Sequence, residues 1–314
     1  MLTKDFYNLV EQPDYLKYIP YGDTDSIFCI VPLDRDDYTK EQKWEIAVKH
    51  SEKINELIIE YLNNYLLPKC NIDIQHNKTF FKIEMLITIL MLLDVKKHYA
   101  YWFECSEGTF VDHPTLKIKG LPIIKSDSIK LMREYLLTLL IKVIGKGELK
   151  RQKIFNSVCG HTGEKIDEDL KNLPEDRIDA AITVTEYFRN LFNHAVDNYI
   201  FIDICKPVKW SKKDEIKLAM FVFNKIANKK VFEPGVPGLF CYVKFLKPQI
   251  FQDICKHTSK LKGICVPYNY HQYDIKKLFT ENGIVIDRNE NWNKIFSTTA
   301  QRIIELIRET RRVT

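Results

Sequence analysis

Apolar residues along the chain follow two rhythms, one suited to strands and one to helices. Around "YIPYGDTDSIFCIV" (18–31) they run up to Gly22–Asp25 and away from it with no helical spacing. That pattern predicts two short strands joined by a tight turn, with Gly22 and the aspartates supplying the turn geometry. Val48, Ile54, Leu57, Ile58, Tyr61, Leu62 and Tyr65 then recur at helical spacing, and Thr39 with Gln42 three residues on is a capping-box signature. A helix is predicted there, running to about Leu67 and stopping at Pro68. Within 79–104, "FFKIEMLITILMLL" and "VKKHYAYWF" read as strands. Past "KGLP" (119–122) helical spacing returns. Ser126 is placed to cap a helix with Ile129, Met132, Leu136, Leu139, Leu140 and Val143 on its apolar face, closed by Gly145. Further helices are predicted at about 150–158, 175–195, 212–228 and 290–310, with strands at 199–204 and 239–246, and residues 3–11 read as the end of a short helix. The fold class expected is α+β. Residues 1–120 make a small antiparallel sheet with one long helix, and residues 121–314 a mostly helical second domain.

Length and composition narrow the field. A chain of 314 residues has room for two domains. Its longest apolar run, "MLITILMLL" (85–93), is nine residues, against about 20 for a membrane-spanning helix, and no signal peptide opens it. A cytoplasmic or replication-compartment protein with no membrane partner is therefore expected. None of the eight cysteines forms a C-x-x-C pair, so zinc or iron–sulfur ligation has no support and free thiols are expected. With 11 glycines, the chain has no glycine-rich nucleotide loop. Charge changes the picture more. Residues 1–120 hold 14 Lys and Arg against 19 Asp and Glu, whereas residues 121–314 hold 33 against 23. An acidic part followed by a basic part suits a second domain that grips a polyanion.

The candidate chemistry lies at Asp23 and Asp25. Two carboxylates this close repel unless a cation neutralises them. Mg²⁺ is the natural guest, being held by one or two carboxylates together with substrate phosphates. Two such ions about 3.5–4 Å apart can activate an attacking oxygen and stabilise a leaving one. A D-x-D by itself is a weak signal, because surface turns are rich in aspartate. Its setting between "YIP" and "IFCIV" is far more specific.

In that setting "YGDTDSIF" (21–28) resembles motif C of the family B DNA polymerases, a β-turn on the floor of the palm. Further resemblances follow in the family's order. "KKHYAYW" (96–102) resembles the K-K-R-Y motif at the palm–thumb border, with His98 where Arg is usual. "KIKGLPIIKSD" (117–127) resembles the start of the thumb, with Lys125 where Arg is common. "YIFIDICKPVKW" (199–210) and "FNKIANKKVFEPGVPGLFCYVKFL" (223–246) resemble later thumb segments. The likeness is nearest to the T4-like phage polymerases. It implies a partial palm in 1–120 and a thumb in 121–314, working as a Mg²⁺-dependent DNA-directed DNA polymerase. It also implies roles. Asp25 would be a metal ligand and Asp23 a weaker or outer-sphere one. Glu84 matches an acid near the metals, a strand glutamate at a sheet edge being the equal alternative. Lys96 and Lys97 would meet the primer–template duplex, and Tyr99 would pack or touch the primer backbone. Lys119, Gly120, Lys125 and Lys130 would be phosphate contacts. His98 in place of Arg would lose one such contact.

The family's exonuclease, motif A and motif B precede motif C, and none occurs here. The expectation is thus the C-terminal subunit of a split polymerase. Its partners would be primer–template DNA, dNTP and an N-terminal chain carrying the exonuclease, motif A and fingers. Sliding clamps and other replication proteins serve such enzymes too, although "RIIELIRETRRVT" (302–314) is not an aromatic-ended clamp-binding peptide. The rival readings are an inactive polymerase remnant that holds DNA as a scaffold, and another two-metal enzyme such as a nuclease.

Overall fold

A computed structural model of the chain describes residues 20–23, 26–35, 37–125, 128–145, 166, 168–209 and 214–311. The fold is α+β, in two compact units. One comprises residues up to Met91 with Ala100–Lys117, the other Leu92–Tyr99 with residues from Ile118 on. No described helix is long and apolar enough to cross a membrane.

The first unit opens on an antiparallel hairpin, β1 (Tyr21–Asp23) and β2 (Ser26–Phe28). Its register pairs Tyr21 with Phe28, Gly22 with Ile27 and Asp23 with Ser26. Helix α1 (Lys40–Tyr61) begins at the expected capping box: the Thr39 hydroxyl accepts from Gln42 N–H, and Gln42 Oε1 accepts from Thr39 N–H. It does not stop at Pro68. The winding loosens over Leu62–Leu66 and a last turn, Leu67–Lys69, follows. Pro68 opens that turn, where its missing N–H and fixed φ cost little. Two clamps tie α1 down. Lys40 Nζ donates to the Val111 carbonyl at 2.9 Å. Buried Asn55 exchanges two bonds with the Phe81 backbone, at 2.6 and 2.7 Å.

The sheet of this unit has the order β3 (Met85–Leu92), β4 (Tyr99–Ser106), β5 (Thr109–Lys119). Residues 79–84, predicted as strand, lie ahead of β3 and are not part of it. Central β4 is almost wholly buried from Tyr99 to Phe103. Glu107 and Gly108, both at positive φ (50° and 81°), make the β4–β5 turn, as the right-handed twist of paired strands favours. Strand β5 escaped the sequence reading because "VDHPT" interrupts its alternation. A proline is tolerated there because β5 is an edge strand among the described residues. The hairpin meets this sheet through Phe28, whose ring centre is 6.0 Å from that of Tyr101.

The second unit is mostly helical among its described residues, with four short strands. Helix α2 (Lys130–Thr138) loosens over Leu139–Ile144 and ends at Gly145, as predicted. Its N-cap is Ile129, without a side-chain bond; Ser126 lies outside the described residues, as do the helices predicted at 3–11 and 150–158. Helix α3 (Arg177–Asp197) is capped by Asp176, which accepts from the Ile178 and Asp179 N–H groups. The strand predicted at 199–204 is instead a short helix, α4 (Phe201–Ile204). β-Branched and aromatic residues gave it strand character. Packing overrides that, because Phe201 and Ile204, three apart, are both fully buried, with Phe201 against Tyr270 and Phe279. Strand β6 (Lys206–Val208) and helix α5 (Asp214–Ile226) come next. β7 (Gly238–Phe245) then pairs antiparallel with β6, with β8 (Gly263–Val266) and with β9 (Ile284–Ile286). β8 and β9, at four and three residues, are too short to show a period.

Helix α6 (Ile275–Glu281) precedes β9, and α7 (Arg288–Asn291) runs through a loosened stretch, Trp292–Ser297, into α8 (Thr298–Arg311). Asn291, fully buried, pins that start by bonding both backbone groups of Tyr242. An aromatic core then fixes the last helix. Trp292 stacks on Phe296 at 5.2 Å, and both face Phe192 of α3. Ala300, Ile303 and Ile307 continue this buried face at helical spacing, which turns Arg302 to its flank.

Candidate nucleic-acid interface

The link from β3 to β4 is a tight turn. Leu93 N–H donates to the His98 carbonyl and His98 N–H to that of Val95, both at 3.0 Å. Closing it puts Lys97 at φ 62°, a left-handed conformation that costs a non-glycine residue about 1–2 kcal/mol. Lys96 and Lys97 are exposed on this turn. Gly120, at φ 71°, faces it, and a Cβ there would run into the Lys97 carbonyl oxygen and the His98 ring. Glycine is thus required for two reasons, its φ and the close approach.

Other groups gather at the same turn. Lys119 Nζ lies 5.9 Å from the centre of the Tyr99 ring, within reach of a cation–π attraction. Tyr99 itself is 4% exposed, which fits the packing reading of that residue rather than contact with a ligand. Lys125 is exposed just beyond the turn Pro122–Ile124, anchored by fully buried Leu121 and Ile123. Burial, then the charges of Lys125 and Arg302, hold the His98 imidazole below its ordinary pKa, so that it is neutral at pH 7. Arg302 Nε lies 3.8 Å from Asp94 Oδ1 at the start of the turn. Lys130 begins α2 and pairs with Glu134 at 3.9 Å.

The carboxylate sites are less fully described. Asp23 ends β1 opposite Ser26, and its side chain and the whole of Asp25 lie outside the described residues. Glu84 is exposed just ahead of β3, its carbonyl accepting from Glu107 N–H at 2.7 Å. No group of three or more His, Cys, Asp or Glu among the described residues is placed to hold a metal ion. No protein-family model and no curated protein matches this chain.

Chemically, the Lys96–Tyr99 turn with Lys119, Gly120 and Lys125 offers close backbone approach beside several cations. Such a combination is suited by charge to an anion such as phosphate and offers no group that would read a base sequence. Two members were not read from the sequence, Asp94 and Arg302. Helical spacing in 298–311 puts Arg302 on the flank of the Ile303–Ile307 face, but only the fold brings it to a turn some 200 residues earlier in the chain.

Proposed function

We propose that this chain is the palm-and-thumb part of a family B-type DNA-directed DNA polymerase. It would act with a second chain that carries motif A, the fingers and an exonuclease. The observation that carries this reading is the meeting of the K-K-H-Y turn with the K-G turn. The two segments resemble the family separately and lie twenty residues apart, and Gly120 fits against Lys97 and His98 only because it is glycine. The hairpin of Tyr21–Asp23 with Ser26–Phe28 supports it too, since it pairs Asp23 with Ser26 in the antiparallel arrangement that the resemblance implies.

The reaction would be attack of a primer 3′-hydroxyl on the α-phosphate of a dNTP, releasing pyrophosphate. Asp23 and Asp25 suit Mg²⁺ by donor type, and the ions would supply the charge stabilisation that phosphoryl transfer needs. The chain's own further task is to hold the duplex, through Lys96, Lys97, Lys119 and Lys125. A partner is supported by uncovered apolar surface in the first unit. β3 is an edge strand among the described residues and is largely half-buried although almost entirely apolar. Ile27, Ile30 and Phe80 are exposed at 39, 52 and 72%. Exposed apolar edges invite pairing.

Co-expression with a chain bearing motifs A and B tests this. The two are expected to co-purify and to extend a primer with Mg²⁺, whereas this chain alone does not. Robust extension by the single chain would refute the split arrangement. A complex that binds duplex yet never extends would favour the scaffold.

A further inference from the structure

We propose that Arg302 is a phosphate-binding residue, completing with Lys96, Lys97, Lys119 and Lys125 a single site for the backbone of a nucleic-acid duplex at the β3–β4 turn. The inference rests on the reading of the chain as a duplex-holding protein and adds a residue that nothing in the sequence assigns to that task.

The first argument is convergence. Three separate stretches, 94–99, 119–125 and the last helix, bring their cations to one turn. Ion pairs elsewhere in this unit join single cations to single acids, as Arg288 to Asp197, Lys225 to Asp253 and Lys277 to Glu281. At the turn the acid in ion-pair contact with Arg302 is Asp94, and it is 76% exposed. Like charges held together repel, and an anion that bridges them removes the repulsion.

The second argument is the geometry of the guanidinium. Arg302 is 40% exposed and meets Asp94 through Nε. A phosphate is best gripped by a planar fork of two N–H donors, which lysine cannot offer. The third argument is rigidity. Ala300 and Ile303 are buried on either side of Arg302, and the helix is anchored by the Trp292–Phe296 stack. The backbone from which Arg302 projects is thereby held in place, so only its side chain needs ordering on binding. His98, whose ring lies against Gly120, is neutral at pH 7, so the permanent charges that act on it are those of Lys125 and Arg302.

The test is duplex affinity against salt for the full chain, with Arg302→Ala, Arg302→Lys and a control, Lys277→Ala, on the exposed face of α6. Wild type is expected to show a slope of log K on log salt of about −4 to −5, for roughly four to six phosphates. Arg302→Ala should weaken low-salt binding about tenfold and flatten the slope by about one. Arg302→Lys should restore the slope and only part of the affinity, and Lys277→Ala should match wild type. Should Arg302→Ala unfold the chain, seen by circular dichroism, the Arg302→Lys result decides, since that change keeps the charge and the aliphatic stem. Wild-type affinity and slope in a folded Arg302→Ala chain, or in Arg302→Lys where that is the variant that folds, would overturn this inference alone. Wild type that fails to bind duplex would overturn the reading beneath it as well. Equal weakening by Lys277→Ala would show a diffuse charge effect and no site.

Discussion

Two tight strand connections carry the proposed activity, and they differ in where their information lies. The β1–β2 turn is written in residue types: two carboxylates, one residue apart, in an apolar strand setting. The β3–β4 turn is ordinary as a string, two lysines before a histidine and a tyrosine. It becomes a site through convergence with Gly120, Lys119, Lys125 and Arg302. Chemistry that needs particular side chains close in sequence is legible before folding. Binding that needs a charged surface is assembled by the fold.

The comparison breaks most sharply at Asp25. If the first turn serves chemistry and the second grip, Asp25→Ala should abolish primer extension by the assembled enzyme and leave duplex affinity nearly unchanged. A metal ligand stabilises charge that develops only in the transition state. Asp23→Ala should do less harm. Extension by Asp25→Ala within about tenfold of wild type would show that this carboxylate is no ligand and that the division of labour is wrong.

A smaller effect is expected at Gly120, with Gly108 as its internal control. Both have positive φ, 71° and 81°, so alanine strains the backbone at each, at about 1 kcal/mol. Only at Gly120 would the new methyl meet a neighbour, the Lys97 backbone and the His98 ring; at Gly108 nothing lies near. Gly120→Ala should therefore cost about 1–3 kcal/mol more than Gly108→Ala in urea unfolding. It should also weaken duplex binding, by pushing the lysine turn away. Equal losses at the two glycines would mean that the turns do not bear on each other.

How much could be read in advance follows the same division. The capping box at Thr39, the helix closed by Gly145 and the strand at 238–245 follow local rules and were legible. So was the α+β class. β5 was hidden by Pro114, tolerable because it lies on an edge among the described residues. Segment 199–204 misled because a strand-like composition was overruled by the burial of Phe201 and Ile204 on one helical face. Within the mostly helical second part, β6, β8 and β9 went unread because each is four residues or fewer and gains its stability by pairing with β7. The lysines of the site were found through resemblance. Arg302 could not be, because no local pattern links it to residue 94.

The smallest effect is expected from His98, and it separates grip from stability within the second turn. Burial, with Lys125 and Arg302 behind it, lowers the His98 pKa in the folded chain. As pH falls, the unfolded chain therefore takes up this proton first, near its ordinary value of about 6.5. The stability due to a neutral His98 is then present above about pH 6.5 and is lost as pH drops from there through the lowered folded value. Wild type should lose more stability between pH 7.5 and 5.5 than His98→Gln, which cannot titrate. Duplex phosphate acts in the opposite sense, because a nearby anion favours the imidazolium. Bound DNA should raise the His98 pKa, and binding near pH 6 should take up a proton that His98→Gln does not. NMR titration of the imidazole with and without duplex reads both effects. A His98 pKa that stays put when DNA binds would place the duplex away from this turn, and the contrast between the two turns would lose its second half.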